Sequence, residues 1–369
     1  MPRPPQFTVK IGENAPEALP AVWQNAFRGL EIDNAVHTQS VAKLKLALGQ
    51  DESGDYMGRA LADAERRFRK HAKITVDATV GNSTKRLING LLTEVKMNFQ
   101  ADPCTSEIEI TAFDNFELLK TDGDTRAYRQ HDLRAVLASL YRKANMDPPS
   151  SVPDSALGND QRQTLMQAHD DFEFLRKLGD DWNAEPYVEF DGDRNVGHFE
   201  RIAIDRSRSI QTPISVNQGQ RTNVRSVQFF YDTSGPTKVT ASFVPRGQTT
   251  GREITHLMSE IVTDAQDKLV LGPPGYERAQ RIERHGQEDQ AALDARMLAE
   301  LERLSWMVIG RGELDTFAFN DVLVPRHSVD VNGVSSSFNG RYLVWKVTHV
   351  FSRDTYCQKF ELRRRLGVR

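Results

Sequence analysis

Cysteine is nearly missing from these 369 residues. Only Cys104 and Cys357 occur, far apart and each in strand-like surroundings, which removes support for a disulfide framework or a thiolate metal site and fits folding in a reducing cytoplasm. A run of about 18 apolar residues, the length a membrane-spanning helix needs, is also missing, and the N-terminal MPRPPQFTVK has no apolar signal core. We therefore expect neither export nor stable membrane insertion. Charge of one sign is not in excess: a net charge of -3, a pI near 6.3 and 27% charged residues describe a soluble, near-neutral chain without a field to steer it toward anionic partners. The basic ending, Arg363 to Arg365 and Arg369, continues a strand and adjoins no lysine-rich run, so no nucleic-acid recognition is expected.

Catalytic constellations are absent too. None of the nine histidines belongs to an H-E-x-x-H or lies three or four residues from another, so zinc lacks its usual handles. No phosphate-cradling G-x-x-x-x-G-K-[ST], strand-anchored G-x-G-x-x-G or G-x-S-x-G elbow occurs. Asp191, Asp193 and Asn195 imitate the start of a calcium loop, but Gly197 stands one place late and position twelve is Ile202, which leaves a plain turn. The neighbouring acids Asp170 and Asp171, and Asp180 and Asp181, read as helix caps and solvated charges, and His349 as a packed or hydrogen-bonded strand histidine. No catalytic, metal or cofactor-binding residue is assigned, and no cofactor is expected. Partner-binding residues stay unknown, because interface and core apolar residues carry the same letters.

What is present is a predominantly antiparallel β pattern with helices between its parts. From Asn339 to Arg365, Leu343, Trp345, Val347, His349 and Phe351 alternate with Tyr342, Val344, Lys346, Thr348 and Val350, and Tyr356, Phe360 and Leu362 line the return strand. This predicts a long terminal hairpin with Trp345 on its apolar face. A hairpin alone is marginal in water, so earlier strands must supply the rest of a sheet. Phe7–Ile11, Val41–Leu48, Ala72–Val80, Leu87–Phe99 and Glu107–Ala112 are strand candidates, with a short charged helix at Ala60–His71. Leu133, Val136, Leu137, Leu140 and Tyr141 have helical spacing. A second helix is capped by Asp170 with Glu173 three places on and closed by Gly179, and a hairpin follows around Asp191 to Asp193. Val224 to Val244 reads as two strands joined at Ser234 to Pro236. A GPPG loop at Gly272 to Gly275 precedes a helix from about Gln287 to Trp306, with Leu293, Met297, Leu301 and Leu304 as its stripe.

This order, with NGLLTEVKMNF and ITAFDNFELLKT between Asn89 and Thr121, QTLMQAHDDFEFLRKLGDDWNAEPYVEF within Gln161 to Phe190 (its first residue Gln163), and FNGRYLVWKVTHVFSRDTYCQKFELRRR, resembles the baseplate hub proteins of contractile phage tails, the late-control D family. That family is related to the hub portion of type VI secretion spike proteins. Phe172, Phe174, Leu175 and Leu178 occupy its apolar helix positions, and Gly340, Tyr342, Val344, Val347 and His349 its closing strand. The segments Tyr56–Lys70 and Arg246–Glu283 have no counterpart in it and are expected to be partner-specific insertions.

The resemblance implies an α+β fold: a tube-like β-barrel over 1–122, an α/β middle domain over 123–205, and a second barrel over 206–369 with a helical insertion at about 246–307. It implies a non-enzymatic structural protein, a homotrimer joining a hexameric tail tube to a trimeric central spike on another chain and touching other baseplate proteins. Such a chain assembles in the bacterial cytoplasm into a virion tail baseplate or injection-system particle. The alternatives are a tail-associated peptidoglycan or glycan hydrolase, disfavoured by the missing constellations, and a carbohydrate-binding β protein, disfavoured by helices between β segments.

Overall fold

Strands form where apolar and polar residues alternate, and here they join one sheet from both ends of the sequence. The computed structural model describes residues 6–49, 59–120, 123, 125–128, 132–153, 165–192, 194–204, 210–244, 250–282 and 290–367. The first region contains β1 (Gln6–Gly12), α1 (Ala21–Asn25), β2 (Phe27–Ala35), β3 (Val41–Ala47), α2 (Arg59–Arg67), β4 (Lys73–Val80), β5 (Ser83–Asn98) and β6 (Glu107–Asp114). An α/β unit follows, with β7 (Arg126–Tyr128), α3 (Leu133–Lys143), β8 (Leu165–Gln167), α4 (Asp171–Trp182), β9 (Ala184–Asp191) and β10 (Arg194–Arg201). The last region begins with β11 (Gln211–Ser215), β12 (Val224–Tyr231), β13 (Lys238–Phe243), β14 (Arg252–Leu257), α5 (Met258–Ile261), α6 (Ala265–Val270), β15 (Ala279–Ile282) and α7 (Gln290–Leu304). It ends with β16 (Val308–Leu314), α8 (Thr316–Phe319), β17 (Ser328–Asn332), β18 (Gly340–Phe351) and β19 (Tyr356–Arg364).

The expected pair of separate barrels is not what the hydrogen bonds show: among the described residues no sheet closes. A single 12-stranded sheet runs β1-β4-β5-β6-β3-β2-β18-β19-β16-β12, with β17 on β18 and β11 parallel to β17. β2 and β18 make the junction, from Lys346 opposite Ala35 to Phe351 opposite Leu30. β2 was missed in the sequence because two prolines precede it and Asn34 ends its alternation of Leu30 and Ile32, although both leucine and isoleucine are buried.

Division appears in the cores. Ile11, Trp23, Ile32, Leu44, Leu46, Ile74, Val76 and Ile110 pack in one, and Val239, Met297, Leu301, Leu314, Val331, Tyr342 and Leu362 in another. The terminal hairpin serves both. Its Val344, Val347 and Phe360 enter the second core, while Phe351 and Tyr356, stacked with centroids 4.1 Å apart, enter the first. A bulge permits this: Val344 pairs with Leu362 and Lys346 with Glu361, leaving Trp345 as the extra residue. The face therefore switches, and Tyr342 and Val344 point the same way as Val347, His349 and Phe351. Trp345 is expelled from the predicted face into a satellite cluster with Val36, Trp306 and Leu343.

The two sequence-predicted helices of the α/β unit are present, and Leu133, Val136, Leu137, Leu140 and Tyr141 are all buried. Asp170 accepts the Glu173 N–H at 2.8 Å, as the capping pattern requires. Gly179 does not end α4. It lies inside the helix because a Cβ there would sit 2.7 Å from the Ala184 carbonyl oxygen, and Asn183, at φ 48°, provides the left-handed cap. β12 and β13 are consecutive but not a hairpin: β12 pairs with β16, and β13 lies between β14 and β15 in a separate three-stranded sheet. The turn acid Asp193, the start of the predicted helix before Gln290, the polar stretch Asp51–Asp55, and parts of 56–70 and 246–283 lie outside the described residues.

Candidate functional site

Buried charge is concentrated where the α/β unit meets the sheet. In the β9–β10 ladder Glu185 faces Glu200 and Tyr187 faces His198, so period-two geometry puts Glu185, Tyr187, Glu189, His198 and Glu200 on one face. Glu185 reaches into the sheet unit. Its Oε1 accepts from the His37 N–H at 2.8 Å, from Arg326 Nε at 3.1 Å and from Arg326 Nη2 at 2.6 Å. Arg326 also donates to the Ala35 carbonyl at 3.0 Å and lies 4.5 Å over the Tyr187 ring, which stacks on His198. His198 in turn has Glu189 at 3.5 Å and Glu200 at 3.3 Å.

The two donors are themselves unusual. His37 and Arg326 have φ of 64° and 67°, a left-handed conformation that costs a residue with a Cβ on the order of 1–2 kcal/mol. Burial lowers the His37 imidazole, against the opposing pull of Glu185. Burial alone would lower Arg326 as well, but Glu185, then Tyr187 and Asp114, outweigh it and hold the guanidinium charge. Burial pushes the Asp114 carboxyl up although the Ser40 and Phe116 N–H groups donate to it at 2.7 and 3.1 Å.

Amides complete the seam. Asn195 Oδ1 accepts from Asn115 Nδ2 at 2.7 Å and Asn89 Nδ2 at 3.2 Å, linking β10 to the 3-10 turn after β6 and to β5. Clefts of about 190 and about 350 Å³ flank the ion pair, the first lined by Arg176, Asp180 and Arg303, the second by Asn34, Asn89 and Asn195. Chemically this arrangement holds surfaces together: its strongest donors and acceptors already answer one another.

The residues weighed from sequence are dispersed. His349 is buried in the sheet with Nδ1 2.7 Å from the Tyr356 hydroxyl, and burial lowers its pKa to about 3, so it is a neutral packing group. Asp170 is a cap, but Asp171 is not solvated as expected. It is buried in an ion pair with Lys143 at 2.7 Å and accepts from Gln167 at 2.7 Å. Arg363 pairs with Glu361, Arg364 is buried against the carbonyls of Ser337 and Asn339, and Arg365 reaches Ser305 and Glu302, so these three arginines are used within the fold. Cys104 and Cys357 are free, and burial raises the Cys357 thiol to about 11. Among the described residues no three His, Cys, Asp or Glu side chains are placed to hold a metal, and no helix is long and apolar enough to cross a membrane. Sequence reasoning missed Glu185, His37 and Arg326. The one signal was a glutamate in phase with Tyr187 on a half-buried strand.

The architecture has known counterparts. The 43 kDa tail protein of prophage MuSo2 from Shewanella oneidensis superposes with a TM-score of 0.65 over 97% of this chain and 98% of that one, at 12% identity. The tail protein from Neisseria meningitidis MC58 gives 0.63 over 98% and 97%, also at 12% identity. This chain shares the fold of these two phage tail proteins. An Escherichia coli component of the type VI secretion system, described as structurally similar to T4 tail proteins gp27 and gp5, shares it at a TM-score of 0.54 and 12% identity, over 98% of this chain and 76% of that one. No family profile and no curated protein matches the sequence. At 12% identity the likeness is one of fold, which face alternation and core volume can keep through many different residues.

Proposed function

We propose that this chain is the structural hub of a contractile tail or injection system, a homotrimeric adapter between the hexameric tail tube and the trimeric central spike. The observation that carries this is the full-length fold likeness to two tail proteins. The sheet adds a physical argument. Six of its twelve strands lie on each side of the β2–β18 junction, and each half packs its own core. A closed trimer meeting a sixfold ring needs two comparable surfaces per subunit; in place of the two closed barrels expected, this reading assigns them to the two halves of the fused sheet, and superposing those halves tests it. The proposed division remains 1–122, 123–205 and 206–369, with the α/β unit locked on by the Glu185 seam.

In this reading the chain has no turnover of its own, binds other tail proteins as well as itself, and resides in the assembled particle. Two measurements test it. The solution mass of the purified chain should be that of a trimer, and tagged chain should retain both tube and spike proteins of its own system. A strict monomer that retains neither overturns the reading.

A further inference from the structure

The α/β unit sits on the sheet without sharing its cores. Phe116, Tyr141, Leu175, Leu178 and Phe199 pack in a cluster separate from both sheet cores. Across the seam the bonds are polar, from His37 and Arg326 to Glu185 and from Asn89 to Asn195, with a cleft on either side of the ion pair. Apolar contact there comes from the satellite cluster, in which Ile202 and Ile204 are only partly buried against Val36, Trp306 and Leu343. A polar, cleft-flanked contact of this kind is the sort that joins domains which move relative to one another, whereas a fixed joint is large and apolar.

Backbone strain is gathered at the same contact. Seven non-glycine residues among those described have positive φ, and four of them are asparagine, which tolerates it. The other three are His71, His37 and Arg326, and the last two are the donors to Glu185. Strain at such a place marks an element with two states. The fastening is also single: among the described residues Glu185 is the one carboxylate in ion-pair reach of Arg326, whose side chain is 13% exposed. We propose that the α/β unit is a hinged body with Glu185 as its latch. When Glu185 releases His37 and Arg326, the unit swings off the sheet in one piece, turning on the chain after Asp114 and after Arg201, with all three cores intact. Release bares the hairpin face that carries Glu185, Glu189 and Glu200.

The test is native-state thiol labelling of the full chain carrying Cys104→Ser and Cys357→Ser. One reporter cysteine at a time is introduced, by Asn34→Cys at the seam, Ala112→Cys in the first sheet core or Val136→Cys in the core of the unit, all buried positions. The expected result is that Asn34→Cys labels through an opening that leaves the other two protected. Glu185→Gln should raise the seam rate about hundredfold, because Arg326 then stays buried and unanswered while the unit is docked, and should leave both core rates unchanged. Adding Arg326→Met should reverse most of that rise. One common rate for all three cysteines, a seam rate that Glu185→Gln does not change, or a rise shared equally by all three overturns the proposal. The measurement needs neither tube nor spike, so its failure leaves the hub reading standing, and a strict monomer would leave the latch standing.

Discussion

Glu185 and Arg326 are 141 residues apart in the chain and 2.6 Å apart in the fold, with side chains 4% and 13% exposed. Neither local propensity nor periodicity brings them together; the docking of hairpin β9–β10 on the sheet does. Removing one partner leaves a buried charge unanswered, which costs about 3–5 kcal/mol. Glu185→Ala and Arg326→Ala are each expected to lower stability by that amount in urea denaturation. The double variant should lose much less than the sum. Additive losses would show that the pair does not hold the seam.

The bulge at Trp345 predicts an order of sensitivity. Phe351, 2% exposed and stacked on Tyr356, should cost about 3–5 kcal/mol when truncated to alanine. Trp345 is half-buried, 5.6 Å from Trp306 and 4.3 Å under Arg363, and should cost less than Phe351 despite its size. Thermal melts of the two variants decide the matter, and equal losses would place Trp345 back in a core.

His349 gives the acid limb of stability its shape. Its folded pKa of about 3 lies below the ordinary 6.5, so the neutral ring's contribution is fully present above pH 6.5 and is lost as pH falls toward 3. At about 1.36 kcal/mol per unit this is on the order of 4–5 kcal/mol. Asp114 has the opposite sign: a raised folded pKa favours folding below the carboxylate range and is lost as pH rises through it. Denaturation midpoints of wild type and His349→Gln from pH 7 to 3 should converge as pH falls. Parallel curves would mean His349 does not titrate on unfolding.

Gly197→Ala should destabilise the α/β unit by about 1–3 kcal/mol through overpacking. A Cβ at Gly197 would come within 2.7 Å of three Tyr141 ring atoms, and that ring is pinned by its hydroxyl donating to the His198 carbonyl at 2.7 Å. Hydrogen exchange is expected to rise in α3 and β10 while β1 to β6 stay protected. Unchanged exchange would mean that Tyr141 moves aside freely.

A structural hub should leave cell wall intact. Peptidoglycan zymography with the purified chain is expected to show no clearing. Clearing that disappears when a single Asp or Glu is changed to its amide would make the hydrolase alternative the better account.

Period and composition settled what the strongly patterned segments are. Alternation over Val41–Leu48 and Ala72–Val80, and the helical stripe from Leu133 to Tyr141, specify strands and a helix with the faces they bury, because a side chain's direction follows local backbone geometry. Tertiary structure decided which strands meet. The pleat of β12 fits β16 as well as it would fit β13, since ladder hydrogen bonds carry no sequence label. It also decided that the two β regions fuse through β2 and β18, and that one bulged residue, Trp345, turns a single strand toward two cores. Glu185, His37 and Arg326 were illegible for the same reason. Burial of a charge is set by what packs over it, and that lies far away in the chain.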